Sequence, residues 1–306
     1  MRIVYLGTPD FSLLPLKSIV ECGKYEIVGV VTNKDKPVGR KKILTAPPVK
    51  QYANSVGLKV YQYDKIREEG VQDLVNLKPD LMITCAFGQI LSQEILDIPK
   101  HGVINIHASL LPKYRGASPI HYAIYNGESK TGITIMKTDI GIDTGDILLQ
   151  KELEIGKEET CGELFERLSV LGASSILQAL ELIESGTATF VKQDETKATL
   201  TKMVKKEHAF IDWTNSAETV INQIRAFNPA PVAFTTYKGE NFKIYFAKLS
   251  TLQGQPGEVL KNDKELVIGC GKDSISLIKV QKAGGNAMSI GDFLRGNKVQ
   301  LGEILG

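Results

Sequence analysis

Four short apolar runs do most to limit what this chain can fold into: RIVYL at 2–6, EIVGVVT at 26–32, LMITCAF at 81–87 and GVINIH at 102–107. Each is short for a helix and too evenly apolar for a strand with one wet face. Between them lie stretches with helical spacing, such as Val71, Leu74 and Val75, and later Leu164, Leu168 and Leu171. Strands buried on both faces and alternating with helices predict an α/β fold, a doubly wound, mostly parallel, Rossmann-like sheet over residues 1–190.

Beyond that the pattern changes. Residues 191–207, VKQDETKATLTKMVKKE, lack core periodicity and read as a connecting segment. A helix follows, with Asn215 as its cap and Glu218 three residues on, an apolar stripe of Val220, Ile221, Ile224 and Phe227, and Pro229 as its stop. The rest of 208–306 is short strands punctuated by glycine, which predicts a small OB-like β-barrel domain.

Composition excludes several classes. Apolar residues at 42% and charged residues at 24% suit a soluble globular chain, and a net charge of +2 gives no global signal for nucleic acid. Cys22, Cys85, Cys161 and Cys270 form no CxxC pair and no metal-ligand spacing, so neither a disulfide framework nor a metal site is expected. The chain opens directly on a strand with no leader, and no apolar run approaches the roughly 20 residues that cross a bilayer. A cytoplasmic monomer is the expectation.

The run at 102–107 ends unusually. Asn105 and His107 lie two apart, so they point to the same face of a strand. Their place at a strand's carboxyl end is where open α/β sheets put ligand crevices. The next stretch, SLLPKYRGASP, cannot continue the strand, because Pro112 lacks a donor and Gly116 favours a turn. A structural histidine and a strand-ending amide would be the plain reading. A second feature weighs against it: KTDIGIDTGDILLQ at 137–150 crowds Asp139, Asp143 and Asp146 into a glycine-rich loop, more acid than turn chemistry needs. The spacing fits no EF-hand. An amide donor, an imidazole and a carboxylate suit acyl transfer to an amine. Asn105 and a protonated His107 would hold the oxyanion, His107 would carry the proton and Asp143 would orient the ring. No serine or cysteine stands in a nucleophile elbow, which favours direct transfer.

These motifs together resemble the folate-dependent formyltransferase family. Carrying the resemblance are Asn105-Ile106-His107, SLLPKYRGASP, DIGIDTGD, the N-terminal YLGTPDF, KDKPVGRKKILTAPPVK at 34–50, IDW at 211–213 and RAFNPAP at 225–231. The last four are similar to the members that act on methionyl initiator tRNA. The resemblance implies 10-formyltetrahydrofolate as formyl donor and Asn105, His107 and Asp143 as the catalytic trio. It implies a folate pocket formed by Ser109, Leu110, Leu111, Pro112, Phe87, Gly88 and Asp139. Ala230 departs from it, standing where the family carries an aromatic between two prolines.

Residues 34–50 hold Lys34, Lys36, Arg40, Lys41, Lys42 and Lys50 against Asp35 alone, with Pro37, Gly39, Pro47 and Pro48 keeping much of the stretch irregular. It follows the second strand, so it emerges at the carboxyl edge, and it exceeds the roughly 2–6 residues of a βα connection. By resemblance it wedges against the tRNA acceptor stem, with Arg40 matching the family's basic residue there. Lys202, Lys205 and Lys206 form a weaker basic cluster. Three other readings compete. One is a dinucleotide-dependent dehydrogenase, disfavoured by a single glycine in VYLGTPDF. Another is formylation of an amino-sugar nucleotide or another small amine. A catalytically idle tRNA-binding module is opposed by the intact trio.

Overall fold

The apolar runs become neighbouring strands of one sheet. The computed structural model describes residues 1–39 and 41–306, so Arg40 lies outside the described residues. The strands of the first part of the chain are β1 (Arg2–Gly7), β2 (Glu26–Thr32), β3 (Lys36–Val38), β4 (Ile43–Thr45), β5 (Val60–Gln62), β6 (Leu81–Cys85), β7 (Val103–His107), β8 (Arg115–Gly116), β9 (Lys130–Lys137), β10 (Ile147–Glu154) and β11 (Leu200–Thr201). Seven of them make a sheet of order β10-β9-β7-β6-β1-β2-β5. The strands from β7 across to β5 run parallel. β9 is antiparallel to β7, with Asn105 opposite Met136 and His107 opposite Thr134.

The chain divides into two compact units. One comprises residues 1–116, 131–154 and 165–201, and the other 117–130, 155–164 and 202–306. In the first unit both sheet faces are covered. Val4, Leu6, Val31, Met82 and Val103 bury one face beneath Ile66, Leu74, Ile95 and Leu96. The helix Cys161–Glu184 supplies Leu168, Ile176, Ala179 and Leu180 to the core. At Gly172 the helix faces Ile106 and Ile133, which a Cβ there would meet at ordinary contact distances of 3.4 and 3.8 Å. Burial pushes the thiols of Cys85 and Cys161 up to about 12, so neither is ionised near neutral pH.

The segment 191–207 divides between the units, belonging to the first up to Thr201 and to the second from Lys202. Leu200–Thr201 pairs in parallel with Arg115–Gly116. Gly116 has φ +97, and a Cβ at this position would lie 2.6 Å from the Thr201 carbonyl, so the close pairing needs glycine.

The second unit carries β12 (Phe234–Tyr237), β13 (Glu240–Ser250), β14 (Val259–Lys261), β15 (Leu266–Gly269), β16 (Ser274–Lys282) and β17 (Met288–Ser289). They form an antiparallel sheet of order β12-β13-β16-β15-β14, with β17 on β16. Register shifts around Phe246 bulge β13 against β16 and add curl, giving an OB-like half-barrel. Phe242 packs on Phe293 and Tyr237 inside it, and the Trp213 indole donates to Thr235 Oγ1 at 3.0 Å.

The predicted helix forms over Ala217–Ala226, but Ser216 caps it, accepting from the Thr219 amide at 3.2 Å. Asn215 is diverted into the preceding turn, where its amide donates to the Asp212 carbonyl. Ala230 is exposed, so the missing aromatic leaves no hole in the core. Among the described residues no helix is long and apolar enough to cross a membrane.

Candidate active site

β7 places Asn105 and His107 on one face, as alternation requires. The connection 138–146 leaves β9 beside the start of β7, where the Thr138 amide donates to the Val103 carbonyl, and carries Asp143 back over the strand. Gly145 permits the closure: a Cβ there would lie 1.8 Å from the Lys137 carbonyl. Asp143 has φ +52, a left-handed conformation that Asp tolerates better than most residues.

The three side chains meet in a half-closed cluster. Asn105 Nδ2 donates to Asp143 Oδ1 at 3.3 Å, and His107 Nδ1 lies 3.5 Å from Asp143 Oδ2. The His107 ring is 6% exposed and the Asp143 side chain 18% exposed. Three further groups set their orientation. Thr84, the only hydroxyl on β6, donates to Asn105 Oδ1 at 2.9 Å and so turns the amide N–H₂ toward Asp143. The Gly116 amide donates to Asp143 Oδ2 at 2.7 Å. His107 Nε2 is 2.9 Å from the Tyr114 carbonyl, which can only accept, so Nε2 carries a proton and Nδ1 is the basic nitrogen of the neutral ring.

A clamp from far along the chain holds the aspartate loop. Gln193 Nε2 donates to the carbonyls of Asp143 and Gly145, both at 2.8 Å. Its Oε1 accepts from Arg115 at 3.0 and 2.8 Å, and Arg115, 4% exposed, pairs with Glu195 at 2.6 and 2.8 Å. Sequence reasoning missed Gln193 and Glu195, which nothing in a segment without periodicity marks, and it gave no role to Arg115 within SLLPKYRGASP. Thr84 left a signal, a polar residue inside an apolar run.

Gln193→Ala frees two loop carbonyls and is expected to lower turnover about ten-fold, the worth of one to two net hydrogen bonds. Gln193→Glu cannot donate, and parent-like turnover in either variant would remove the clamp from catalysis. The pair has a pH signature as well. The Arg115 guanidinium holds the Glu195 carboxyl below its ordinary value. Its contribution is therefore complete above the unfolded value of about 4.3 and is lost as pH falls through the lowered folded value. The difference in urea midpoint between parent and Glu195→Gln should hold constant from pH 8 to about 5 and shrink below. A difference that grows on acidification would reverse the assignment.

The expected folate segments flank the trio in the sheet. Ser109–Pro112 follows β7 and Phe87–Gly88 follows β6, its parallel neighbour. The first loop is cinched by Thr134, whose hydroxyl donates to the Ser109 carbonyl at 2.6 Å and accepts from the Leu111 amide at 3.2 Å, while Gln150 donates to the Leu111 carbonyl at 2.8 Å. Leu111 is buried, and Leu110 and Pro112 are half-buried. Phe87 buries its ring and offers main chain, its carbonyl accepting from Asn33 at 3.0 Å.

Gly88 leaves open space above its Cα, the nearest atom to a Cβ being Asn33 Nδ2 at 3.8 Å. Thr138 Oγ1 is buried with no hydrogen-bond partner among the described residues. Asp139 does not join the trio: exposed, it accepts from Gly141 at 3.0 Å and Thr144 at 2.7 Å and shapes its own loop. Among the described residues no three His, Cys, Asp or Glu side chains are grouped to hold a metal.

The basic stretch after β2 is more ordered than its prolines suggest. β3 and β4 pair as a hairpin, Val38 opposite Ile43, and Pro37 is accommodated because a two-stranded ladder needs few donors from it. Lys36, Lys41 and Lys42 are exposed on this hairpin, alongside exposed Val38, Ile43 and Leu44. Lys34 is paired with Asp64, and Lys50 with Asp35 at 2.8 Å. Lys205 and Lys206 belong to the second unit, the former 3.6 Å from Glu207 and the latter over the Phe234 ring.

A sheet edge with an amide, an imidazole and a carboxylate is the arrangement of an acyl transferase, and two family models agree: that described as formyl transferase matches residues 1–180, and the formyl transferase C-terminal domain matches 203–298. Methionyl-tRNA formyltransferases of Alkaliphilus metalliredigens (strain QYMF) and Bacillus subtilis (strain 168) are 44% and 45% identical over 310 residues, covering 100% of this chain and 98% of each relative. The chain belongs to the methionyl-tRNA formyltransferase family. Among solved structures, the N-formyltransferase of Helicobacter canadensis, in complex with folinic acid and dTDP-3-aminofucose, shares the fold with a TM-score of 0.70 at 21% identity, covering 92% of this chain and 98% of that one.

Proposed function

We propose that this chain transfers the formyl group of 10-formyltetrahydrofolate to the α-amino group of methionine carried by initiator tRNA, acting as a cytoplasmic monomer. The observation that carries the reading is the meeting of Asn105, His107 and Asp143 at one sheet edge. Full-length similarity to methionyl-tRNA formyltransferases supports the choice of acceptor. The first unit holds the donor and performs the chemistry, and the second assists in binding RNA.

The donor supplies an electrophilic formyl carbon. Asn105 keeps a second amide hydrogen beyond the one given to Asp143, and it stabilises the negative charge that develops on the formyl oxygen. The Tyr114 carbonyl holds the His107 tautomer, so Nδ1 takes the proton shed by the attacking amine. The imidazolium then formed stands beside Asp143 and also stabilises the oxygen. The bond from the methionine nitrogen to the formyl carbon forms and the bond to the folate nitrogen breaks. His107 returns the proton to that departing nitrogen.

An acceptor panel tests the reading. Labelled formyl donor is offered with methionyl initiator tRNA, an amino-sugar nucleotide and a simple amine. Label on the methionine α-amine supports the proposal, and preferential label on the sugar amine would replace it with the small-amine reading. For the hairpin, Lys41→Ala with Lys42→Ala is expected to reduce the salt dependence of tRNA binding by about one to two in log–log slope. An unchanged slope would take the hairpin out of the RNA interface.

A further inference from the structure

The second unit contains a cavity of about 210 Å³ that the reaction above does not use. Its walls are His121, Tyr122 and Tyr125 on the helix Pro119–Tyr125, Phe227 at the end of the helix Ala217–Ala226, and Val204 and His208. The four side chains other than Val204 and His208 are rings, on one helix and at the end of the helix facing it: the centroids of His121 and Tyr125 lie 6.4 and 6.0 Å from that of Phe227. The volume is below the roughly 300–1,000 Å³ of sites that enclose whole drug-sized ligands, so it suits a single heterocycle and not a folate.

Its polar groups are complementary. His208 Nδ1 accepts from the Lys205 amide at 3.1 Å, which leaves Nε2 as a donor. Burial lowers the basicity of His121, and a neutral imidazole keeps one accepting nitrogen. The segment that supplies Val204 and His208 also carries exposed Lys202, Lys205 and Lys206. Aromatic walls interleaved with cations are the arrangement that binds single-stranded nucleic acid, bases stacking while lysines follow the phosphates.

We propose that this cavity receives one unstacked nucleobase of the RNA substrate, its flanking phosphates on Lys202, Lys205 and Lys206. The inference rests on the RNA-acceptor reading above and adds a subsite to it. Tyr125→Leu keeps apolar bulk and removes the ring, and is expected to raise the KM for methionyl-tRNA about ten-fold, the worth of one stacked base. Tyr125→Phe, which keeps the ring, is expected to restore it. Adenosine 5′-monophosphate is expected to shift the imidazole resonances of His121 and His208 saturably in the parent and not in Tyr125→Leu.

A parent-like KM in Tyr125→Leu, or resonances that AMP leaves unmoved, would overturn the subsite while leaving formyl transfer standing. A parent protein that formylates no aminoacyl-tRNA would instead defeat the RNA-acceptor reading, and this occupant with it.

Discussion

Replacing His107 with alanine lowers the rate of formyl transfer by about 10²–10⁴-fold, with little change in donor binding. The size follows from the position of the ring. Nε2 is committed to the Tyr114 carbonyl, so Nδ1 is the nitrogen able to take a proton, and it faces the Asp143 carboxylate at 3.5 Å. No neighbouring side chain in the cluster can substitute: Asn105 does not titrate and Thr84 is occupied in orienting it. Asn105→Ala is expected to cost a similar factor, because under the proposed mechanism it removes the amide donor that meets the developing oxyanion. Single-turnover rates at saturating donor and acceptor give the measurement. A His107→Ala rate within a few-fold of the parent would show that proton transfer runs elsewhere.

The second large effect is expected at Asp143. Asp143→Asn preserves size and still offers an oxygen to the Gly116 amide, which donates to the aspartate at 2.7 Å. What it removes is the charge beside the imidazole. The ring would gain a proton at Nδ1 without an anion to stabilise it, and the new amide would compete with Asn105 for donor directions. A fall of about 10²–10⁴-fold in turnover is expected, as for other carboxylates that support an imidazole base. The fall should appear in kcat and leave donor affinity nearly unchanged. Loss of donor affinity with normal kcat would make Asp143 a binding residue and not part of the proton path.

Much of this was readable from residue order. Short, mostly apolar runs at 2–6, 81–87 and 102–107 read as strands covered on both sides, and the sheet has them adjacent. Asn105 and His107 stood out because two polar groups of one parity on a core strand have to find partners. Other features were hidden for physical reasons. The Tyr114 carbonyl and Gly116 amide are main-chain groups, which carry no residue identity. Gln193 and Glu195 reach the site through a segment with no periodicity, so only tertiary structure reveals them. The hairpin at Lys36–Val38 was masked by Pro37 and Gly39, which signal turns but do not forbid a two-stranded ladder. The antiparallel course of β9 depends on a connection whose geometry its composition does not encode.

The account stands on a carboxamide, an imidazole and an acid group passing a one-carbon unit straight from donor to amine. Rapid-quench single turnover with donor labelled in the formyl carbon, enzyme in excess and methionyl initiator tRNA as acceptor tests this most directly. The account predicts label appearing on the methionine nitrogen as donor label disappears, none of it bound to protein, at a rate that collapses in His107→Ala. Label trapped on the enzyme, or released as free formate at the same rate in both proteins, would contradict it.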